Sequence, residues 1–288
     1  MADKFFNQYE KVTYEKLLSA CQVYDATVFS KVRLADILPV NKSGLSDSDF
    51  KFSLQAHSDF VVVSSKNEIL FCVEFDGPSH NDQRQAERDA RKNQLFKKFN
   101  IPLLRINARY LDTKYRNFDL LSYFIDIWFL QQEFSAMQAR GEIANDEVFD
   151  PAGFLSNDNT KFPYIISLDA QLGIKKLYKQ NRILQPLCSC VVGLDLEDNY
   201  HCIAWIYINS YSALSIKTSM RNQLFPGVDI SILLPMISTC EIYESIKKYF
   251  DGNIQAFSLK EMFEREKIFR KKYTILSDFV CRFNESLF

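Results

Sequence analysis

His57-Ser-Asp59-Phe-Val-Val-Val63 and, after a short polar connector, Ile69-Leu-Phe-Cys-Val-Glu74-Phe-Asp76-Gly77-Pro78-Ser79-His80 decide how this chain is read. Each begins as a compact run of β-branched and aromatic residues, giving strands over Ser58–Ser64 and Ile69–Phe75, and Ser65-Lys-Asn-Glu68 between them reads as a hairpin turn. On a strand of period two, Glu74 and Asp76 share a face, and the hairpin brings Asp59 beside them. Acidic side chains are poor strand formers and repel one another, so three together call for a cation. A hard divalent ion, Mg²⁺ or Mn²⁺, bound by Asp59, Glu74 and Asp76 together with waters and a substrate phosphate, answers that cost. Phosphodiester hydrolysis is the chemistry such a site serves.

Downstream, Asp76-Gly77-Pro78 ends the second strand, and Asn81 or Asp82 offers a helix N-cap. Asp82 with Gln85 fits a capping box, which predicts a helix to about Asn100. Leu95, Phe96 and Phe99 mark its buried face, and stepping back from Leu95 by three and seven residues reaches Lys92 and Arg88. The core-facing stripe therefore turns cationic at the end of the helix that follows the acidic turn. Both cations are expected to face the carboxylates. His80, just past the turn, is a candidate general acid or base, or a metal partner through water. A strand over Ile101–Ile106 follows. Upstream, a helix is expected over Phe6–Ala20, an extended segment over Thr27–Leu38 and a loop over Asn41–Asp49, so the order is α, β, β, β, α, β.

The succession Asp59, then Glu74-Phe-Asp76-Gly77-Pro-Ser-His80, then Glu87-Arg-Asp-Ala-Arg-Lys92 and a closing Leu103-Leu-Arg-Ile106 resembles the PD-(D/E)xK, restriction-endonuclease-like nuclease superfamily. It is most similar there to the branch of the very-short-patch-repair endonucleases and the domain of unknown function 2726 family. The resemblance covers roughly residues 8 to 110. It implies a mixed β-sheet flanked by helices, Asp59 and Glu74 as metal ligands, Asp76 and His80 as further site residues, and hydrolysis of DNA, in repair, restriction or defence. Asp76 stands where the parent motif has Lys, so activity depends on Lys92 or Arg88 compensating; without that, the fold would serve as an inactive module binding DNA or a partner protein.

Bland readings compete with the chemical ones at other positions. His57 is expected to be a structural histidine, and Arg105 either touches phosphate or pairs with Asp59 or Asp89. Cys188, Cys190, His201 and Cys202 match no zinc spacing and read as core residues.

The seven cysteines are odd in number and lie in apolar surroundings, unlike a disulfide framework. No secretory leader or membrane-length apolar run is evident, which predicts a cytoplasmic protein with no membrane partner. A formal net charge of −1 supplies no global pull on a polyanion, so a DNA surface must be a local patch, and a homo-oligomer or partner protein is plausible. The expected organisation is an α/β nuclease-like domain over 1–130, a polar linker over 131–159 and an α+β domain over 160–288 for recognition or partner binding. In this last part, strands near Tyr164–Leu168 and Val228–Leu234, a hairpin over Leu187–Asn209 and helices over Cys240–Phe250 and Leu259–Arg282 are expected.

Overall fold

The computed structural model describes residues 7–77, 83–115, 118–154 and 163–281. The chain divides into two compact units, one drawn from Met1–Lys114, Phe118–Asn159 and Gln223–Val228, the other from Tyr115–Asn117, Thr160–Asn222 and Asp229–Phe288.

The first unit runs α1 (Gln8–Gln22), β1 (Thr27–Arg33), a single turn α2 (Leu34–Ile37), α3 (Asp47–Gln55), β2 (His57–Val63), β3 (Ile69–Phe75), α4 (Gln83–Lys98), β4 (Leu103–Ile106), a 3-10 turn at Ala108–Tyr110, and α5 (Leu120–Ala139). Its four-stranded sheet has the order β1-β2-β3-β4, antiparallel except for the parallel β3/β4 pair. A parallel neighbour requires a crossover, and α4 is that crossover. Helices cover both faces, which is why β2 and β3 read as nearly unbroken apolar runs. On one face Val61, Val63, Cys72 and Leu103 pack with Leu95 and Phe96 of α4 and Leu34, Ile37 and Leu38. On the other, the Phe71 ring meets Trp128 and Phe225 edge-on at 5.0 and 5.2 Å. Phe60, Phe71 and Phe96 are fully buried, each contributing about 2–3 kcal/mol of transfer free energy.

Local caps explain where the sequence-based expectations fail. The loop expected over Asn41–Asp49 yields to α3 at Asp47, because the Ser46 hydroxyl accepts from the Asp49 N–H. The extended segment expected to reach Leu38 stops at Arg33, where α2 begins. Gln223–Val228 lies far along the chain, yet it borders β4. The Leu103 N–H donates to the Leu224 carbonyl at 2.7 Å, and the Gln223 side chain brackets Arg105 by accepting from its N–H and donating to its carbonyl, both at 2.9 Å.

The second unit contains α6 (Leu168–Lys179), β5 (Ser189–Leu194), β6 (Tyr200–Asn209), β7 (Ser212–Met220), α7 (Ile230–Phe250), β8 (Phe257–Ser258), α8 (Leu259–Lys272) and β9 (Thr274–Phe279). Its sheet is antiparallel throughout, in the order β8-β7-β6-β5-β9. The architecture is therefore α/β followed by α+β. The hairpin expected around Glu197-Asp-Asn is present as β5 and β6. The strand expected at Tyr164–Leu168 is instead the approach to α6, and the one expected at Val228–Leu234 is the start of α7, where Asp229 caps by accepting from the Ser231 N–H and the helix runs through Pro235. The helix expected to reach Arg282 stops at Lys272, and the chain then forms β9. No helix among the described residues is long and apolar enough to cross a membrane.

Candidate active site

The pairing of β2 with β3 sets Phe60 across from Val73 and Val61 across from Cys72. Continuing that register by one residue places Asp59 across from Glu74, on the same face of adjacent strands. The Phe75 N–H donates to Asp59 Oδ2 at 3.0 Å, which fixes one carboxylate oxygen. The other takes the Lys31 ammonium at 2.6 Å, and that ammonium also reaches Glu10 Oε1 at 2.6 Å.

Glu74 is only 4% exposed. Its Oε2 accepts from Lys92 Nζ at 2.6 Å, whereas its Oε1 is buried with no hydrogen-bond partner. Burial raises the Glu74 pKa, and Lys92 offsets this while Asp59 adds to it. A carboxylate half satisfied by an ammonium and half unsatisfied has unused capacity for a cation.

Asp76 lies at the mouth of β3, and its Oδ1 takes Arg105 Nη1 at 2.8 Å. Parallel pairing sets Arg105 beside Glu74 on the neighbouring strand, and its guanidinium also donates to Asp89 at 2.9 Å and to Asn93 at 3.0 Å. For Asp89, burial acts to raise the pKa but the Arg105 bond outweighs it and the carboxyl falls below its usual range. Burial works against the Arg105 charge as well, and its acidic neighbours overcome it, raising the pKa.

Of the residues singled out from the sequence, Asp59, Glu74 and Lys92 come together. Asp76 is held by Arg105, Arg88 is exposed and makes no ion pair among the described residues, and His80 lies outside the described residues. Among the described residues, no group of three or more His, Cys, Asp or Glu side chains is arranged to hold a metal ion. All seven cysteines are free, and His201 pairs with Asp195 at 2.9 Å. Arg105 realises the ion-pair alternative through Asp89, with Asp76 as its second carboxylate.

Lys31 and Glu10 escaped the reading of the sequence. Glu10 is the acidic partner of the Asn7 capping box that opens α1, a recognisable signature. Lys31 carries no such mark. It sits within β1 with φ of +55°, in the left-handed region, a conformation that costs a non-glycine residue about 1–2 kcal/mol. Burial acts to lower its pKa, yet bonds to Asp59 and Glu10 raise it overall, and these bonds hold the backbone kink in place.

Residues 2–118 match the family model described as protein of unknown function (DUF2726). The DUF2726 domain spans the strands and helices that carry Glu10, Lys31, Asp59, Glu74, Asp76, Asp89, Lys92 and Arg105, and its mixed sheet flanked by helices is consistent with a PD-(D/E)xK-like fold. Among curated proteins and solved structures, none matches the chain.

Proposed function

We propose that the first unit is a metal-dependent nuclease that hydrolyses DNA phosphodiester bonds, with Asp59 and Glu74 holding Mg²⁺ or Mn²⁺. The observation that carries this reading is the buried Glu74 carboxylate, across from Asp59, with Lys92 on one oxygen and nothing on the other. This donor set is hard, anionic and incompletely satisfied, which fits a divalent cation. When bound, such an ion supplies Lewis acidity to a phosphate ester. Lys92 contributes a fixed positive charge beside the reacting phosphate, in the role that Asp76 cannot fill. Arg105 holds Asp76 and Asp89 in place behind the site. His80, following β3, is assigned proton transfer. The second unit is assigned recognition of substrate or partner, and the cellular setting is repair, restriction or defence against foreign DNA.

A second reading has its own observation. Lys31, Lys92 and Arg105 already neutralise Asp59, Glu74 and Asp76, as they would in an inactive module that binds DNA or a partner protein. Incubating the full chain with linear, circular and single-stranded DNA in Mg²⁺ or Mn²⁺, beside an EDTA control and Glu74→Ala, separates the two. Metal-dependent cleavage abolished by Glu74→Ala is the expected result. Binding without cleavage by the wild type overturns the nuclease reading in favour of the module.

A further inference from the structure

In the second unit, Ala213, Ser215 and Lys217 alternate onto one face of β7, and Ala213 packs there with Met262 and Phe269 of α8. Ser215 is 9% exposed, and its hydroxyl has no hydrogen-bond partner. On the opposite face of the same strand, the Thr218 hydroxyl is matched by Ser238 at 2.6 Å. The unsatisfied group is therefore confined to the α8 side.

Above it on α8, Arg265 lies with its guanidinium 4.3 Å from the centre of the Phe257 ring, and Phe257 is paired with Ala213 across the β8/β7 ladder. Arg265 Nε is also buried without a partner. Lys272, seven residues on, shares the Arg265 stripe of the helix. Burial together with the charges of Arg265 and Lys272 lowers the Lys217 pKa, so Lys217 feels both cations of α8. Ser215 falls between the Ala213/Phe257 level, where Arg265 stacks, and Lys217.

No carboxylate stands within ion-pair distance of Lys217, Arg265 or Lys272 among the described residues. Of the acids on α8, Glu261 accepts from the Ser258 N–H at 2.8 Å and from its hydroxyl at 2.7 Å in the helix cap while feeling the Arg265 charge at longer range, Glu266 binds Arg270 at 2.9 Å, and Glu264 is exposed. A buried hydroxyl and a buried guanidinium N–H left without partners, on a face that also carries the exposed Lys217 and Lys272, favour an anion that joins them. A carboxylate offers two oxygens to this set. A phosphate ester offers three, spread widely enough for a guanidinium fork, a hydroxyl and flanking ammonium groups.

We propose that Ser215, Lys217, Arg265 and Lys272 form a phosphate-binding site on the α8 face of the second unit's sheet, taking the phosphate of a nucleotide or of a nucleic-acid strand. Calorimetric titration of the full chain with inorganic phosphate, with adenosine monophosphate and with a short single-stranded oligonucleotide tests it at matched ionic strength. Saturable binding is expected, weakened about tenfold by Arg265→Met and several-fold by Ser215→Ala, as befits loss of hydrogen bonds to a charged ligand. Ser215→Ala removes only an unsatisfied hydroxyl and leaves the fold intact, so it keeps the test interpretable if Arg265→Met unfolds. An oligonucleotide bound more tightly than inorganic phosphate, through an Arg265-dependent component, assigns the phosphate to a strand. Binding of the two small probes alone assigns it to a free phosphate or mononucleotide. The Arg265-dependent component is expected to persist unchanged in EDTA, which separates this site from the metal-dependent nuclease reading. Absence of saturable binding by all three probes, or equal binding by wild type, Arg265→Met and Ser215→Ala, overturns the proposal.

Discussion

Replacing Lys92 with Met leaves the buried Glu74 carboxylate without its hydrogen-bonded counter-charge, with Arg105 on the neighbouring strand acting only at longer range. The two side chains are 12% and 5% exposed, so solvent screening is slight and removal of one partner is expected to cost about 3–5 kcal/mol while Glu74 stays ionised. Glu74 escapes that cost by taking a proton, because burial already raises its pKa in the folded protein. The folded state then binds more protons than the unfolded chain, and stability falls as pH rises from the ordinary carboxylate range through the raised value. Lys92→Met lifts that value further. The gap from wild type is therefore widest near pH 8 and narrows toward pH 5. With only two tryptophans in the chain, a Trp205→Phe background leaves Trp128 as reporter of the first unit, and the midpoint is expected to drop by about 10 °C at pH 8. Adding Glu74→Gln removes the unpaired charge and recovers most of the loss. A pH-independent gap, or no recovery in the double variant, refutes this account of the pair.

Other consequences are equally open to measurement. Lys31→Asn and Lys31→Ala both delete the ammonium, but Asn tolerates the left-handed backbone, so Lys31→Asn is expected to be more stable by about 1 kcal/mol in urea titrations. Arg105→Lys keeps the charge and loses the planar fork that joins Asp76, Asp89 and Asn93; a destabilisation of about 2–4 kcal/mol is expected by the same assay. A Cβ added at Gly193 falls 2.8 Å from Tyr273 Cβ and 3.1 Å from the Thr274 carbonyl oxygen. Gly193→Ala is thus expected to push β9 from β5 and cost the second unit about 1–3 kcal/mol, read from Trp205 fluorescence in a Trp128→Phe background.

The first unit was legible where signals were local and agreed with one another. The runs through Val61 and Val73, the turn after Asp76 and the apolar stripe of Leu95 and Phe96 each imply an element whose neighbours demand it, and the mixed sheet follows. Lys92 was reachable by helical periodicity from Leu95. The same periodicity placed Arg88 in the site, but two turns before Leu95 that stripe has left the sheet and Arg88 faces solvent. Lys31 was out of reach because its role depends on the β1/β2 register and on a left-handed kink, neither of which leaves a trace in residue type. Gln223 is separated from Arg105 by more than a hundred residues, and no periodicity spans such a gap. In the second unit, Val228–Leu234 has the composition of a strand, and only the Asp229 cap and the helical run beyond Pro235 reveal α7.

Manganese binding to the full chain, followed by the loss of the free ion's electron paramagnetic resonance signal, tests the central claim most directly. One saturable site in the wild type, lost in Asp59→Asn and in Glu74→Gln and retained in Arg88→Gln, is the predicted result. No saturable site, or a site unaffected by either carboxylate substitution, would contradict it.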